Sequence, residues 1–461
     1  MNRYLTYQKG QLLFEDVALA EIAEEMYTPF YVYSKAAILE KVESLRQAFS
    51  EIKPMMAFHM KALDTCFILK LLKERGCGLA VENFNEMSRA HSCGYDSTSL
   101  VLNSFGLPDH ELSNIIKHRP LVINVAHLFE LEPLNRLATQ ASTGVRIGIR
   151  VDLNIDTGGT SPIAKKRSGL TESELREALD LVKKLPQLNL VCLATHIGSQ
   201  VTHLAPWIKL AEKMASLSQE VRKEGFNIEY LDLGGGFPVE YGYGEHIEIK
   251  KIARNMIPYL KDLDCRVILE PGSYFTAEAG LLVTSVVGVK EVNGQVMVIC
   301  DAGFSELPTA ALSHFKFEVA PLIKGEKTQE GGEEAQQKSE GIITSSSTAS
   351  TYPAQSAQST QEQPASASSP ASTDKLRKAH LIGPGNEEFN FLVKDIEIAV
   401  PKRGDLIAIL NVGAYGRTMA GNYGSRSRPP EVLIEKDKFE VIRSRETVED
   451  LLACDLIEGQ V

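Results

Sequence analysis

The chain has 461 residues, 43% hydrophobic and 24% charged, ordinary proportions for a globular protein and longer than one core usually covers, so two domains are expected. The 49 Lys and Arg against 60 Asp and Glu leave a formal net charge of −11, which argues against a nucleic-acid or anionic-membrane surface. The start Met1-Asn2-Arg3-Tyr4 lacks the apolar core of a signal peptide, no stretch is apolar enough to span a bilayer, and the seven cysteines form neither a CxxC pair nor a disulfide framework, so a cytoplasmic protein with mostly core cysteines is expected.

From about Met55 to Tyr274 short apolar runs alternate with amphipathic ones, the pattern of βα units. The first, Met55-Met56-Ala57-Phe58-His59-Met60-Lys61-Ala62, follows Pro54 and reads as a buried strand whose end carries Lys61. Burial disfavours a charged amine, so a functional Lys61 would serve as a neutral, nucleophilic Schiff-base lysine. The alternative is a strand-end lysine that snorkels to water. Further strands are expected at Gly78–Glu82, Ser99–Asn103, Leu121–Val125, Val145–Val151, Leu190–Ile197, Ile228–Leu233 and Arg266–Glu270. Helical periodicity fills the gaps: Leu63–Arg75, Asn85–His91, His110–Lys117, Leu128–Gln140, Glu172–Lys184, Pro206–Lys223 and Ile247–Leu263. Thr171 before Glu172 and Glu174 is a start signal, and Gly76 is a stop.

About eight such units in tandem predict an α/β fold, a (β/α)8 TIM-type barrel over residues 36–278, in preference to an open doubly wound sheet. Chemistry on a barrel sits at the C-terminal ends of the strands, and those ends carry Lys61, His196, Gly234-Gly235-Gly236 and Glu270. After Tyr274 strand-like runs separated by turns, at Leu281–Val289, Val296–Cys300, Leu406–Leu410 and Val432–Lys436, predict a β-rich second domain built from residues 1–35 and 279–461. Within it residues 325–373, dense in Ser, Thr, Gln, Ala, Glu and Pro, are expected to be a disordered insertion, since strand-like sequence resumes at Ala379–Ile382. The one compact basic run, Lys165-Lys166-Arg167, reads as a solvated loop.

The triple glycine follows the seventh strand, where backbone N–H groups can close on a phosphate; a tight turn is the plainer reading. Ser199, in Thr195-His196-Ile197-Gly198-Ser199-Gln200, adds a hydroxyl at the preceding strand end. Glu270 is placed either to keep a pyridine nitrogen protonated or to cap the turn before Pro271. His196 reads as a core histidine, a metal ligand or a face for a flat ring, and no second histidine at ligand spacing supports a metal.

Taken together these motifs resemble the ornithine/diaminopimelate decarboxylase family, whose members bind pyridoxal 5'-phosphate (PLP) in a barrel joined to a β domain. The resemblance runs from about residue 10 to near the C-terminus. Phe58–Ala62 is similar to the family's tyrosine-alanine-valine-lysine-alanine segment, which implies that Lys61 holds the cofactor. His196-Ile197-Gly198-Ser199-Gln200 implies that His196 stacks on the ring and Ser199 touches the phosphate side. Leu233-Gly234-Gly235-Gly236-Phe237-Pro238 matches the phosphate loop, Glu270-Pro271-Gly272 places Glu270 at the pyridine nitrogen, and Gly413-Ala414-Tyr415-Gly416 implies a phosphate contact for Tyr415. The tail Met419–Glu431 looks most like the diaminopimelate branch.

The departures fall on the substrate side. Ser273 and Thr309 stand where the family carries arginines, and Ser313 where it carries a tyrosine. Asn386 replaces the cysteine before Glu387, Ala80 an aspartate, and Leu63 an asparagine. The resemblance implies a PLP-dependent amino-acid decarboxylase, catalytic through Lys61, His196, Glu270 and Glu387, working as a homodimer with shared sites. The alternatives are a cofactor-binding protein that has lost turnover, and a racemase, against which the strong electron sink implied by Glu270 argues.

Overall fold

The computed structural model describes residues 3–158, 169–241, 247–313, 315–323 and 376–455. The basic run Lys165–Arg167 and the expected insertion at 325–373 lie outside the described residues. A small antiparallel sheet opens the chain: β1 (Leu5–Gln8), β2 (Gln11–Phe14) and β3 (Val17–Ala18). Next comes β4 (Phe30–Ser34), five residues buried without exception.

Eight parallel strands then close into a barrel: β5 (Met55–His59), β6 (Gly78–Val81), β7 (Leu100–Asn103), β8 (Val122–Val125), β9 (Val145–Arg150), β10 (Leu188–Ala194), β11 (Tyr230–Asp232) and β12 (Arg266–Leu269). β12 pairs with β5 to complete the ring. Helices cover such strands outside and side chains fill the ring inside, so β6, β7 and β8 have no exposed position and read as continuous apolar runs. The interior is filled by small and branched residues, among them Ala57, Ala80, Val101, Val122 and Val191. Each helix turns one apolar stripe inward; Cys66–Glu74 buries Ile68, Leu69, Leu71 and Leu72. Its stop is the expected Gly76, in the left-handed region at φ +71°. Thr171 and Glu174 form a reciprocal capping box at the start of helix Glu172–Val182.

The chain then builds a larger sheet from β13 (Gly280–Val292), β14 (Gln295–Cys300), β15 (Val319–Pro321), β16 (Leu376–Ile382), β17 (Phe391–Ala399), β18 (Leu406–Ile409), β19 (Glu431–Glu435) and β20 (Lys438–Arg443). Its main path runs β17-β16-β14-β13-β4-β19-β20, with β18 bridging β13 and β15. β4, made before the barrel, therefore lies between strands made after it.

Two expectations need correction. Cys66 and Cys93 form a disulfide between neighbouring barrel helices, 27 residues apart in sequence, a pairing no local spacing advertises. Cys77, Cys192 and Cys300 are buried, as expected of core cysteines. Second, the first barrel strand ends at His59, and Lys61 stands in the 3-10 turn Met60–Ala62 with its side chain 42% exposed. Among the described residues, no helix is long and apolar enough to cross a membrane.

Candidate active site

The C-terminal mouth of the barrel opens into a cavity of about 540 Å³, and Lys61, His196, Ser199, Gly235, Gly236, Glu270 and Tyr415 all line it. Residues from the turn after β5, the loops after β10, β11 and β12 and the connection between β18 and β19 thus meet at one face. Tyr415 arrives because its backbone N–H donates to the carbonyl of Ala62, 2.9 Å away, next to Lys61.

The glycines are required by space. A Cβ on Gly235 would stand 2.3 Å from the carbonyl oxygen of Glu270, and one on Gly236 2.1 Å from that of Gly198. Gly234 and Gly236 also hold left-handed φ values of +69° and +91°. The loop consequently lines the cavity with backbone that carries no side chain, a cradle suited to an anion. Gly234 itself sits behind the cavity, donating its N–H to Asp232 Oδ1 at 3.0 Å.

Glu270 is 6% exposed and accepts a hydrogen bond from Asn103 Nδ2 at 2.7 Å. Behind it lies Asp232, 1% exposed and held by Asn124 Nδ2 at 3.0 Å. Burial pushes both carboxyls up, Asp232 further because the Glu270 charge adds to it, while Asn103 and Arg150 favour the Glu270 anion. The two carboxyls therefore titrate as one pair.

His196 is neutral: burial, then Arg150 and Lys61, pull its pKa down to about 3. Its Nδ1 accepts the Gly235 N–H at 3.3 Å, which assigns the ring hydrogen to Nε2. The imidazole offers a flat, uncharged face to the cavity.

Not every expected residue joins this group. Glu387 does not line the cavity; its Oε1 accepts a hydrogen bond from Tyr423 Oη at 3.0 Å, beside exposed Phe389. Thr309 donates to the Tyr415 carbonyl, whereas Ser273 does face the cavity. Conversely, Glu82, His59, Arg150 and His127 line the cavity without having been singled out. Glu82 and Arg150 had a legible signal, since each is a charged residue closing an apolar strand run. Glu82 makes a close ion pair with Lys61 Nζ, and Arg150 lies 5.1 Å over the ring of Phe105. His59 gave no signal within its apolar segment.

The pyridoxal-binding domain of the pyridoxal-dependent decarboxylases matches residues 35–277. The chain belongs to that family. Across its whole length it is also similar to the diaminopimelate decarboxylase of Aquifex aeolicus, 29% identical over 99% of this chain and 98% of that one, and to its Haemophilus influenzae counterpart, 26% identical over 98% and 99%. Among solved structures, AQ1208 from Aquifex aeolicus superposes with a TM-score of 0.82 at 28% identity, covering 99% of this chain and 98% of that one. The Helicobacter pylori diaminopimelate decarboxylase complexed with L-lysine gives 0.79 at 28% identity, over 94% and 98%. The family's cofactor is pyridoxal phosphate, and the chain is a PLP-dependent decarboxylase of the diaminopimelate decarboxylase type. The cavity fits that cofactor: an amine on one wall, a buried carboxyl group on another, and a glycine edge that any Cβ would fill.

Proposed function

We propose that this enzyme removes the α-carboxyl group of an amino acid or amino-acid derivative, with Lys61, His196, Ser199, Gly235, Gly236, Glu270 and Tyr415 as its cofactor-handling residues. The observation that carries the reading is the convergence of the Lys61 amine and the Glu270 anion on one cavity. Pyridoxal phosphate, when bound, supplies an aldehyde for an amine to join and a ring that withdraws electrons. Lys61 Nζ is the amine that holds it. The Gly236 N–H, with the Ser199 and Tyr415 hydroxyls, would bind its phosphate, and Gly235, whose N–H is given to His196, leaves room for it. Glu270 holds a proton at the ring nitrogen, and Asp232 preserves the charge with which Glu270 does so. The neutral imidazole of His196 orients the ring without competing for that proton. Asn386 is no acid, so the proton returned to the substrate carbon comes from water or another group, and turnover is slow.

The distal end of the substrate is read differently from a free carboxylate. Ser273 and Thr309 replace arginines, and two arginines able to substitute are committed elsewhere. Arg417 faces the buried Glu431 at 3.7 Å, and Arg426 Nε donates to Glu306 at 2.7 Å. A buried distal carboxylate without a partner costs several kcal/mol. Borohydride reduction and peptide mapping should place the cofactor on Lys61; an adduct on another lysine defeats the mechanism. A carbon dioxide release screen over free, N-acylated and carrier-bound amino acids should then find meso-diaminopimelate a poor substrate. Turnover of it at about ten per second with sub-millimolar KM would reject the altered specificity.

The working unit in this reading is a homodimer with shared sites. Supporting it, Glu387 does not line its own cavity and stands beside Phe389 and Tyr423, 43% and 51% exposed. A Lys61→Ala chain mixed with a Glu387→Ala chain should regain activity through one intact site. No recovery after demonstrated subunit exchange excludes the shared arrangement.

A further inference from the structure

We propose that Glu82 is an additional catalytic residue, the counter-ion that holds Lys61 Nζ whenever this amine is off the cofactor. The inference rests on Lys61 being the cofactor lysine. In the parallel register of β5 and β6, His59 pairs with Ala80. Two residues further along each chain, Lys61 and Glu82 come level at the mouth, and their side chains form a direct ion pair. The family resemblance puts a carboxylate at Ala80, which is wholly buried among the small residues of the barrel interior. Here the carboxylate stands one pleat higher on the same side of the strand, where it reaches the amine.

Glu82 is held rigidly in that position. Its backbone N–H donates to Glu86 Oε2 at 2.7 Å, and Asn83 caps the following helix Phe84–Ser92 by accepting the Glu86 N–H at 2.9 Å. Its carboxylate also lies 3.6 Å from His59 Nε2, whose other ring nitrogen is buried without a hydrogen-bond partner. The same cavity contains the Arg150 guanidinium, and Glu270 is engaged by Asn103. Glu82 is therefore the acid placed to neutralise a free Lys61.

When an amino-acid ammonium replaces Lys61, the C–N bond to the incoming nitrogen forms and the C–N bond to Lys61 breaks. The incoming ammonium would give up two protons as it joins the cofactor, and the same number would return Lys61 Nζ to an ammonium, with no net gain or loss. Glu82 favours this exchange by pairing with the ammonium it creates. It has no such partner while Lys61 is attached to the cofactor, so its removal should affect displacement and cofactor retention differently.

The test uses methylamine, small enough to enter irrespective of substrate specificity. The PLP-loaded wild type, Glu82→Gln and Glu82→Asp proteins are titrated with methylamine and reduced with borohydride. Mass spectrometry then gives the fraction of cofactor still on Lys61, and dialysis gives the PLP dissociation constant without amine. Glu82→Gln should need about threefold to tenfold more methylamine for half displacement, the range of a partly screened ion pair. Its PLP affinity should be unchanged or tighter, and Glu82→Asp should recover at least half of the effect. An unchanged midpoint overturns the proposal, as does a PLP affinity that falls in parallel with displacement. Absence of a Lys61 adduct in untreated wild type would instead overturn the underlying cofactor assignment.

Discussion

Asp232 and Glu270 are buried beside one another, and burial raises the pKa of both, so they titrate as one pair. Replacing Glu270 by Gln removes the anion while keeping the shape, so kcat should fall by roughly 10²–10³, in the range of lost proton-holding and electrostatic groups. Borohydride should still trap the cofactor on Lys61 in that variant. Asp232→Asn keeps the shape of a group that stands behind Glu270 and should keep kcat within about tenfold of wild type. Equal losses in the two variants, measured by single-turnover carbon dioxide release, would mean that the two carboxyls act as one unit. These acids show how unevenly a site can be read from sequence. Glu270 stands in a recognisable Glu-Pro-Gly turn, whereas Asp232, Asn103 and Asn124 act from inside the barrel, where polar residues within short apolar strands give no periodic signal.

The barrel strands were legible because burial on both faces leaves a continuous apolar run between amphipathic helices. β20 was not, since it has no fully buried position and carries Lys438, Glu440 and Arg443. Lys61 was assigned one element too early because the apolar run continues through Met60 after the strand has ended. The turn joining β6 to helix Phe84–Ser92 contains Glu86, whose carboxyl burial raises to about 7, with the nearby Glu82 charge adding to the shift. Its folded pKa lies above the unfolded value. The native state therefore binds more protons between about pH 4.5 and 7, and stability falls as pH rises through that window. Glu86→Gln keeps an acceptor for the Glu82 N–H but has no charge to bury. The variant should match wild type at pH 4 and exceed it by about 1–3 kcal/mol at pH 8. Urea unfolding at the two pH values checks this, and a constant difference would mean the carboxyl does not titrate as described.

At the scale of the molecule, barrel and sheet are joined by buried charge. Glu431, fully buried at the start of β19, accepts from Thr65 Oγ1 at 2.6 Å and pairs with Arg443 at 2.9 Å. Arg443 also meets Asp64 at 3.2 Å, so the turn after Lys61 is tied to the final strands. Removing one member leaves the others buried without compensation, and Glu431→Gln should cost about 3 kcal/mol. Thermal unfolding should show a lower midpoint for both units together; loss in the sheet alone would mean the junction does not couple them. The sequence revealed two structural classes along the chain but not these ties, since residues 64 and 431 lie far apart and neither belongs to a repeated pattern.

The position of β4 between β13 and β19 has a consequence for biosynthesis. A nascent chain emerges N-terminus first and could complete its eight-stranded ring by Leu269, but β4 would then lack both neighbours. The wall supplied by Tyr415 and the junction supplied by Glu431 would still be inside the ribosome or unmade. A transcript truncated anywhere before those codons should yield a polypeptide with Lys61 but no closed chamber around it. Lys61 is translated early, but the cavity it lines is complete only after Tyr415 has been made, so shorter products should be silent instead of partly active.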